Sequence, residues 1–166
     1  MDPIDPAVDH VRGAPDAPLI VEYGDYECPY SRQAYRAIQQ VEERLSVRFA
    51  FRHFPLTQIH PHALAASAAA EAAAVQERFW DMHELLFHRQ RALEDDDLRG
   101  YALELQIDVD AFDVARQSAR VLERIRRDVE SGVAAGEVRG TPTLFIDGVV
   151  HDGAYDAATL LRALSA

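Results

Sequence analysis

One stretch of the chain, residues 19–31, reads LIVEYGDYECPYS and changes character in its middle. Its first part, residues 19–23, is rich in β-branched and aromatic side chains and stops at Gly24, which predicts a strand. Its second part has Pro29 in a position suited to the first turn of a helix, where the missing N–H costs no hydrogen bond. The stretch therefore predicts a strand, a short turn and a helix whose N-terminus carries Cys28.

The residues that follow extend this unit. Apolar residues recur at spacings of four, three and four from Ala34 to Leu45, so we predict one helix from Pro29 to Leu45. A second β-type run covers residues 47–52 and ends before a proline. Two strands joined by a helix within about 35 residues predict a right-handed βαβ unit.

The remainder of the chain has a long helical segment and then returns to strand patterns. Residues from about 60 to 138 show helical patterns throughout, beginning with nine alanines between His62 and Val75. The pair Asp147-Gly148 then separates two short β-type runs and predicts a hairpin. Asp156 is placed to cap a closing helix. The order is βαβ, an all-helical insertion over about residues 60–138, and ββα, which predicts one α/β domain.

The N-terminal segment has a different character from the rest. Residues 1–16 contain several prolines and little periodicity, so we expect an arm with a short strand at Val11 and the domain proper at residues 17–166. The first six residues, MDPIDP, lack the positive and apolar regions of a signal peptide. No run approaches the ~18 apolar residues of a membrane span. We expect a cytoplasmic protein in a reducing compartment.

Composition excludes several classes of partner and site. The 166 residues include 17 basic residues, all arginine, and 28 acidic ones, for a net charge of -11. This charge argues against nucleic acid and anionic membranes as partners. Because Cys28 is the only cysteine, the chain cannot form an internal disulfide or a zinc site built on several thiolates. The sequence indicates no particular oligomeric state.

Cys28 is the strongest candidate for chemistry. The unpaired N–H groups and positive dipole at a helix N-terminus favour the thiolate, which is the nucleophilic form of cysteine. Asp25 and Glu27 act against this effect through their negative charges. The alternative is a buried, inert cysteine that packs as a small apolar side chain.

The motif CPYS at residues 28–31 resembles the C-x-x-C active site of the thioredoxin superfamily, with Ser31 at the second cysteine position. The long helical segment resembles the DsbA-like branch, and GTPT at residues 140–143 is similar to the cis-proline loop of the superfamily. The resemblance covers about residues 17–166. It implies a thioredoxin-like α/β fold with a central sheet, flanking helices and a helical cap beside the active site.

The resemblance also implies roles for individual residues. Cys28 corresponds to the attacking cysteine, and Ser31 stands where the resolving cysteine belongs. Ser31 cannot displace a bound substrate, so its hydroxyl is left to donate a hydrogen bond to Cys28 or to cap the helix. A mixed disulfide on Cys28 must then await an external thiol. The feasible reactions are monothiol exchange, isomerisation, deglutathionylation and peroxide reduction through a sulfenic acid.

Glu22 lies inside an otherwise apolar strand, six residues before Cys28. Members of the superfamily commonly hold an acidic residue under the active site at this place, which implies a role in moving the thiol proton. A carboxyl group buried there would have a raised pKa and could act as a general base. The alternative is a partly exposed strand residue paired with an arginine.

The resemblance places four residues in substrate binding. Pro142 is expected to follow a cis peptide bond, with the Thr141 backbone offered to an extended peptide or to glutathione. The alternative is a trans proline opening an edge strand. Pro29 and Tyr30 form the variable dipeptide that tunes reactivity in the family. The Tyr30 ring can also line the side of a substrate-binding site. Tyr26 is expected to pack inside.

We expect no metal site and no tightly bound cofactor, with glutathione as a possible co-substrate. The local groupings of histidine, His60 with His62 and His83 with His88, lack the spacing of metal ligands. His53 and His60 are candidates for the edge of the active site.

Three functions remain open from the sequence. The first is a monothiol thiol-disulfide oxidoreductase that uses Cys28 on a thiol- or disulfide-containing protein or on glutathione. The second is a binding or chaperone module that keeps the groove without turnover. The third is a glutathione-dependent transferase or isomerase in which Ser31 orients the glutathione thiolate.

Overall fold

The computed structural model describes residues 1–165. Its five strands are β1 (His10–Arg12), β2 (Leu19–Gly24), β3 (Arg48–His53), β4 (Thr143–Ile146) and β5 (Val149–Val150). Its seven helices are α1 (Pro29–Glu42), α2 (Ala63–Ala74), α3 (Phe79–His88), α4 (Asp95–Glu104), α5 (Val109–Arg116), α6 (Ala119–Ala135) and α7 (Ala157–Leu164). Among these residues, no helix is both long enough and apolar enough to cross a membrane.

The strands form one sheet in the order β1-β3-β2-β4-β5. β2 and β3 run parallel and are joined by α1, as expected for the βαβ unit, whereas β4 is antiparallel to β2. Glu22 lies at the centre of this sheet, opposite Phe51 on one side and Leu144 on the other. The expected strand at Val11 is present in β1 and extends the sheet at the edge formed by β3.

Local sequence signals account for most element boundaries. Gly136 takes the left-handed conformation with φ 75° where α6 ends, and Asp147 and Gly148 take positive φ in the hairpin. Helix α1 ends at Glu42 and not at Leu45 as predicted, because the chain tightens into a turn in which the Arg44 amide donates to the Val41 carbonyl. Helices α5, α6 and α7 are capped by side chains that accept a backbone N–H from the first turn, those of Asp108, Ser118 and Asp156.

Helices cover both faces of the sheet. Helices α1 and α7 pack together, and α2 packs against α3, α5 and α6. The alanines of α2 are largely buried and allow this close packing. The sheet residues that face the larger core are Ile20, Phe49, Phe51, Leu144 and Ile146, and those that face the smaller core are Val21, Tyr23, Ala50 and Phe145.

The N-terminal arm is fastened to this sheet by a buried ion pair. Arg52 of β3 donates two hydrogen bonds of 3.0 Å to the carboxylate of Asp9. The same guanidinium donates to the Tyr23 hydroxyl at 2.9 Å. Since both charged groups are buried, each needs the other, and the pair holds the chain just before β1 in place.

Candidate active site

Cys28 occupies the N-cap position of α1, and Pro29 occupies the first turn. The Cys28 amide donates to the Asp25 carbonyl at 3.1 Å, which closes the turn after β2. The side-chain amide of Gln90 donates to the carbonyls of Tyr26 and Cys28 at 2.8 Å each. The turn that carries the cysteine is therefore fixed from both the sheet and the helical layer.

A second loop lies directly against the sulfur. The Thr141–Pro142 peptide bond is cis, and the Cys28 thiol donates to the Thr141 carbonyl at 3.2 Å. The Tyr155 hydroxyl donates to the Pro142 carbonyl at 2.8 Å. Residues that are 113 positions apart in the sequence thus meet in one site.

The sulfur lies just beneath the surface. Cys28 is 3% exposed, yet the next residue, Pro29, is exposed and the Tyr30 side chain is 63% exposed. Tyr26 packs inside, as expected, and its hydroxyl hydrogen-bonds to His83 Nδ1 at 2.9 Å. The Cys28 side chain is therefore covered, and the two residues that follow it in the chain, Pro29 and Tyr30, are exposed.

Ser31 is fully buried in the first turn of α1. Its hydroxyl oxygen accepts a hydrogen bond from the Asp25 amide at 3.2 Å. Within residues 1–165, no hydrogen bond links it to Cys28. The serine thus holds the turn together at the position where the C-x-x-C motif has its second sulfur.

Glu22 is fully buried, and within the described chain neither carboxyl oxygen has a hydrogen-bond partner. Of the two sequence-based alternatives, the structure shows the buried carboxyl. Burial raises the pKa of Glu22 to about 8. The pKa of Tyr155 is raised by burial and further by the charges of Glu22 and Cys28, so both charges lie within electrostatic reach of this hydroxyl. A proton can therefore reside on Glu22 near neutral pH.

The two acidic residues of the turn are engaged by donors. The Asp25 carboxylate accepts from the Leu56 amide and His60 Nδ1 at 2.8 Å each, and it also accepts from the Glu27 amide. The Glu27 carboxylate accepts from the amide and Nδ1 of His62 at 2.7 and 2.9 Å. The hydrogen bond to Glu27 raises the pKa of His62. Both carboxylates are therefore hydrogen-bonded to residues 56–62, and His60 lies at the edge of the site through its bond to Asp25.

A groove of about 540 Å³ begins at Pro29 and runs between α1 and the start of α7. Arg32, Arg36 and Arg91 line it, and none of the three has a carboxylate within ion-pair distance among residues 1–165. Three arginines free of ion pairs beside the cysteine stand out in a chain with a net charge of -11. The groove offers positive charge to a ligand that carries carboxylates.

A possible metal-binding group lies elsewhere. His10, His53 and Glu71 present ligand atoms within 4.8 Å of one another. His60 and His62, which the sequence singles out, face different carboxylates instead. The expectation that the protein holds no metal stays a prediction.

Sequence reasoning missed several residues that shape the site. Gln90, Tyr155 and the groove arginine Arg91 come from segments far from Cys28 in the sequence. None carries a local motif. Tyr155 follows the hairpin by a few residues, and only the topology of the resembling fold would have placed it near the proline loop.

Comparison with known proteins agrees with this geometry. A family model described as thioredoxin matches residues 6–166. The fold superimposes on a thioredoxin-like oxidoreductase from Silicibacter pomeroyi DSS-3 with a TM-score of 0.84 and 24% identity, covering 97% of this chain and 92% of the other. It superimposes on the thiol-disulfide exchange protein alpha-DsbA2 from Wolbachia pipientis with a TM-score of 0.81 and 21% identity, covering 93% and 84%.

A protein with higher sequence identity to this chain is named as an antiporter. The chain is 47% identical over 169 residues to part of a protein named Na(+)/H(+) antiporter NhaA 1 from Mycolicibacterium gilvum (strain PYR-GCK), covering 99% of this chain and 27% of that protein. The chain spans about a quarter of the length of the curated relatives it matches. The family match and the two structural likenesses confirm the predicted fold: the chain belongs to the thioredoxin family and has a DsbA-like α/β fold.

Proposed function

We propose that the protein is a monothiol thiol-disulfide oxidoreductase in which Cys28 exchanges disulfides with an external thiol. One observation carries the proposal. The Cys28 sulfur lies at the N-terminus of α1 and 3.2 Å from the Thr141 carbonyl, with Ser31 at the position of a resolving cysteine. This arrangement supports formation of a mixed disulfide and offers no second sulfur to break it.

The reaction balances in two exchanges. The Cys28 thiolate attacks one sulfur of a substrate disulfide, a new S–S bond forms to Cys28, and the other substrate sulfur leaves as a thiolate that takes up a proton. An external thiolate then attacks the substrate sulfur bound to Cys28 and restores the free Cys28 thiolate. With a glutathionylated substrate and glutathione, the products are the substrate thiol and oxidised glutathione. The sulfur of the incoming glutathione is oxidised to a disulfide while the substrate sulfur is reduced to a thiol, and the glutathione sulfur taken from the substrate stays in a disulfide throughout.

Glu22 supplies a place for the thiol proton. Because its pKa is raised to about 8, the carboxyl group can accept or return a proton at pH values near neutrality. Tyr155, which is within electrostatic reach of both Glu22 and Cys28, holds the proline loop through its bond to Pro142. We assign Glu22 the role of proton acceptor and Tyr155 a positioning role.

The arginine-lined groove supports an external thiol that carries carboxylates. Glutathione is such a thiol, and its carboxylates would meet Arg32, Arg36 and Arg91 while its sulfur reaches Cys28 past Pro29. A reducing compartment supplies this thiol, so the proposal places the reaction in the cytoplasm. The exposed Tyr30 ring and the Thr141 backbone would contact the substrate beside the sulfur.

Turnover of a glutathionylated peptide with reduced glutathione tests the proposal. Wild-type protein should release the peptide thiol catalytically, and Cys28→Ala should not. Ser31→Cys is the matched control, because it restores a second sulfur and should divert the mixed disulfide into an internal disulfide. Lower turnover in Ser31→Cys than in wild type is the expected result.

Two results would contradict the proposal. Equal turnover by wild type and Cys28→Ala would remove the cysteine from the reaction. A glutathione-saturable activity on a small electrophile that survives Cys28→Ser would favour the transferase. The burial of Ser31 and its bond to the Asp25 amide support exchange over that alternative.

A second candidate function rests on the curated relatives. Since 99% of this chain matches part of a protein named as a Na(+)/H(+) antiporter, a module that binds or regulates such a transporter is also proposed. The test is binding of this chain to the remaining part of the Mycolicibacterium gilvum protein in detergent. Binding that is unchanged by Cys28→Ala would favour the module, and no binding would count against it.

A further inference from the structure

Side chains from three elements meet near the edge of the sheet that β1 forms beside β3. His10 comes from β1, His53 from the end of β3 and Glu71 from α2. Nε2 of His10 and Nε2 of His53 lie 2.6 and 2.7 Å from the same oxygen, Oε1 of Glu71. His53 is fully buried and Glu71 nearly so, which makes this a built cluster and not a surface coincidence.

We propose that His10, His53 and Glu71 form a binding site for a divalent cation of the Zn²⁺ type. Two imidazole nitrogens and one carboxylate oxygen are donors that Zn²⁺ prefers, with bonds of about 2.0–2.2 Å. The three ligand atoms already lie within 4.8 Å of one another, so small side-chain rotations bring all of them to a shared cation. The Glu71 carboxylate, which now accepts from both rings, would then bind the cation together with the two imidazoles.

The surroundings hold the ligands in position. The His10 ring stacks on Phe79 with 3.5 Å between ring centroids and 7° between planes. Such stacking fixes the ring plane and aims Nε2 at Glu71. His53 has a second ring nitrogen, Nδ1, that is buried without a partner in the part of the chain described. The His53 ring is held instead by edge contacts to Phe51 and Phe79, with 5.4 and 6.1 Å between ring centroids.

A cavity of about 650 Å³ opens onto the cluster and provides an entry route. His10 and Glu71 line this cavity, so a cation can enter from solvent, and water can complete its coordination. The charged side chains that line it are four carboxylates, Asp9, Glu71, Glu123 and Glu130, and three arginines, Arg120, Arg124 and Arg127. This charge balance does not repel a divalent cation.

A cation here would cross-link the arm to the domain. It would connect β1, β3 and α2 through coordinate bonds, at the same edge where Asp9 and Arg52 already fasten the arm. Its binding would therefore stabilise the folded chain, because the ligands are gathered only after folding. The three ligands do not include Cys28, and the proposed cation takes no part in the exchange reaction.

Zinc and cobalt binding to the full chain tests the site. All variants carry Cys28→Ala, which removes the one thiol that competes for these ions. Equilibrium dialysis should show one equivalent of Zn²⁺, Co²⁺ should give a visible absorption spectrum without thiolate bands, and Zn²⁺ should raise the unfolding temperature. His10→Phe keeps an aromatic ring against Phe79 and should lower zinc affinity by roughly tenfold or more.

The matched control is His88→Ala, an exposed histidine outside the cluster, which should bind zinc like the parent. Glu71→Gln should also lose affinity, and circular dichroism confirms folding of each variant. If Glu71→Gln does not fold, His10→Phe alone decides. Full affinity in His10→Phe, or a folded parent that binds no zinc, would overturn the proposal.

Discussion

Two buried carboxyl groups of this protein, in the region of Cys28 and in the region of β1, differ in their partners. Glu22 has no hydrogen-bond partner within the described residues, and burial raises its pKa to about 8. Glu71 accepts from His10 and His53, and these bonds hold its pKa well below the ordinary value despite burial. Partners, and not burial alone, therefore decide whether a buried carboxyl group stays charged.

The same difference separates reactivity from stability. Around Cys28, the proposed reaction uses a thiol and an unpartnered carboxyl group, so substitutions there should change the rate of exchange. Around Glu71, the carboxylate is hydrogen-bonded to two imidazole rings, so substitutions should change the free energy of unfolding.

Cys28→Ala has the largest expected effect on chemistry. Disulfide exchange should be lost completely, because no other sulfur in the described site can replace it. The free energy of unfolding should change by only about 1 kcal/mol, since a small side chain replaces another. Exchange kinetics and urea unfolding measure the two quantities. A loss of several kcal/mol would show that the cysteine also serves stability and would break the separation.

Glu22→Gln should change how stability depends on pH. The folded-state pKa of Glu22 is about 8 against an ordinary 4.5, so its stabilising contribution is full below pH 4.5 and is lost as pH rises to about 8. Over this window wild-type protein should lose up to about 5 kcal/mol relative to the variant, which cannot titrate at this position. Urea unfolding at pH 5 and pH 8 gives the difference.

The control for that experiment is the rate of Cys28 alkylation. In Glu22→Gln its pH profile should lose an inflection near pH 8, because the proton acceptor is gone. If the free energy of unfolding depends on pH in the same way for the two proteins from pH 5 to 8, Glu22 does not titrate in the folded state over that range.

Glu71→Gln should destabilise the cation-free protein by about 3 kcal/mol at pH 7. A neutral amide cannot replace a buried carboxylate that accepts from two imidazoles. Alkylation of Cys28 should keep its wild-type rate. Unfolding in the presence of a chelator measures the first quantity, and an altered alkylation rate would show that the two regions are coupled.

The double variant Arg32→Gln and Arg36→Gln should have the smallest effect. Loss of two positive charges, one partly buried and one exposed, should raise the KM for glutathione roughly three- to tenfold, at about 0.3–0.7 kcal/mol for each charge. The rate with an uncharged thiol such as mercaptoethanol should not change. Arg162→Gln, which lies outside the groove, is the matched control. An equal effect on both thiols would mean that the groove does not select carboxylates.

Local chemistry explains why much of the fold was predictable. The strand before Gly24, the helix starting at Pro29 and the hairpin at Asp147-Gly148 each depend on neighbouring residues, and all three are present. Helix ends were less accurate, as at Leu45, because several residues can satisfy the final carbonyls equally well.

Long-range contacts explain what was missed. Glu71 is 61 residues from His10 and 18 from His53, and no spacing rule joins three residues from separate elements. The ion pair of Asp9 and Arg52 is hidden for the same reason. The position of Glu22 in an apolar strand left two alternatives open, a buried carboxyl group and a residue paired with an arginine, and within residues 1–165 the structure shows the carboxyl group buried without a partner.

Disulfide exchange at Cys28 can be followed directly by the mass of the intact protein after incubation with oxidised glutathione. Wild-type protein should carry one glutathione, bound through Cys28 and released by a reducing thiol, and Ser31→Cys should instead close an internal disulfide and carry none. Wild-type protein that stays unmodified, or a Ser31→Cys protein that keeps glutathione like the wild type, would contradict the monothiol account.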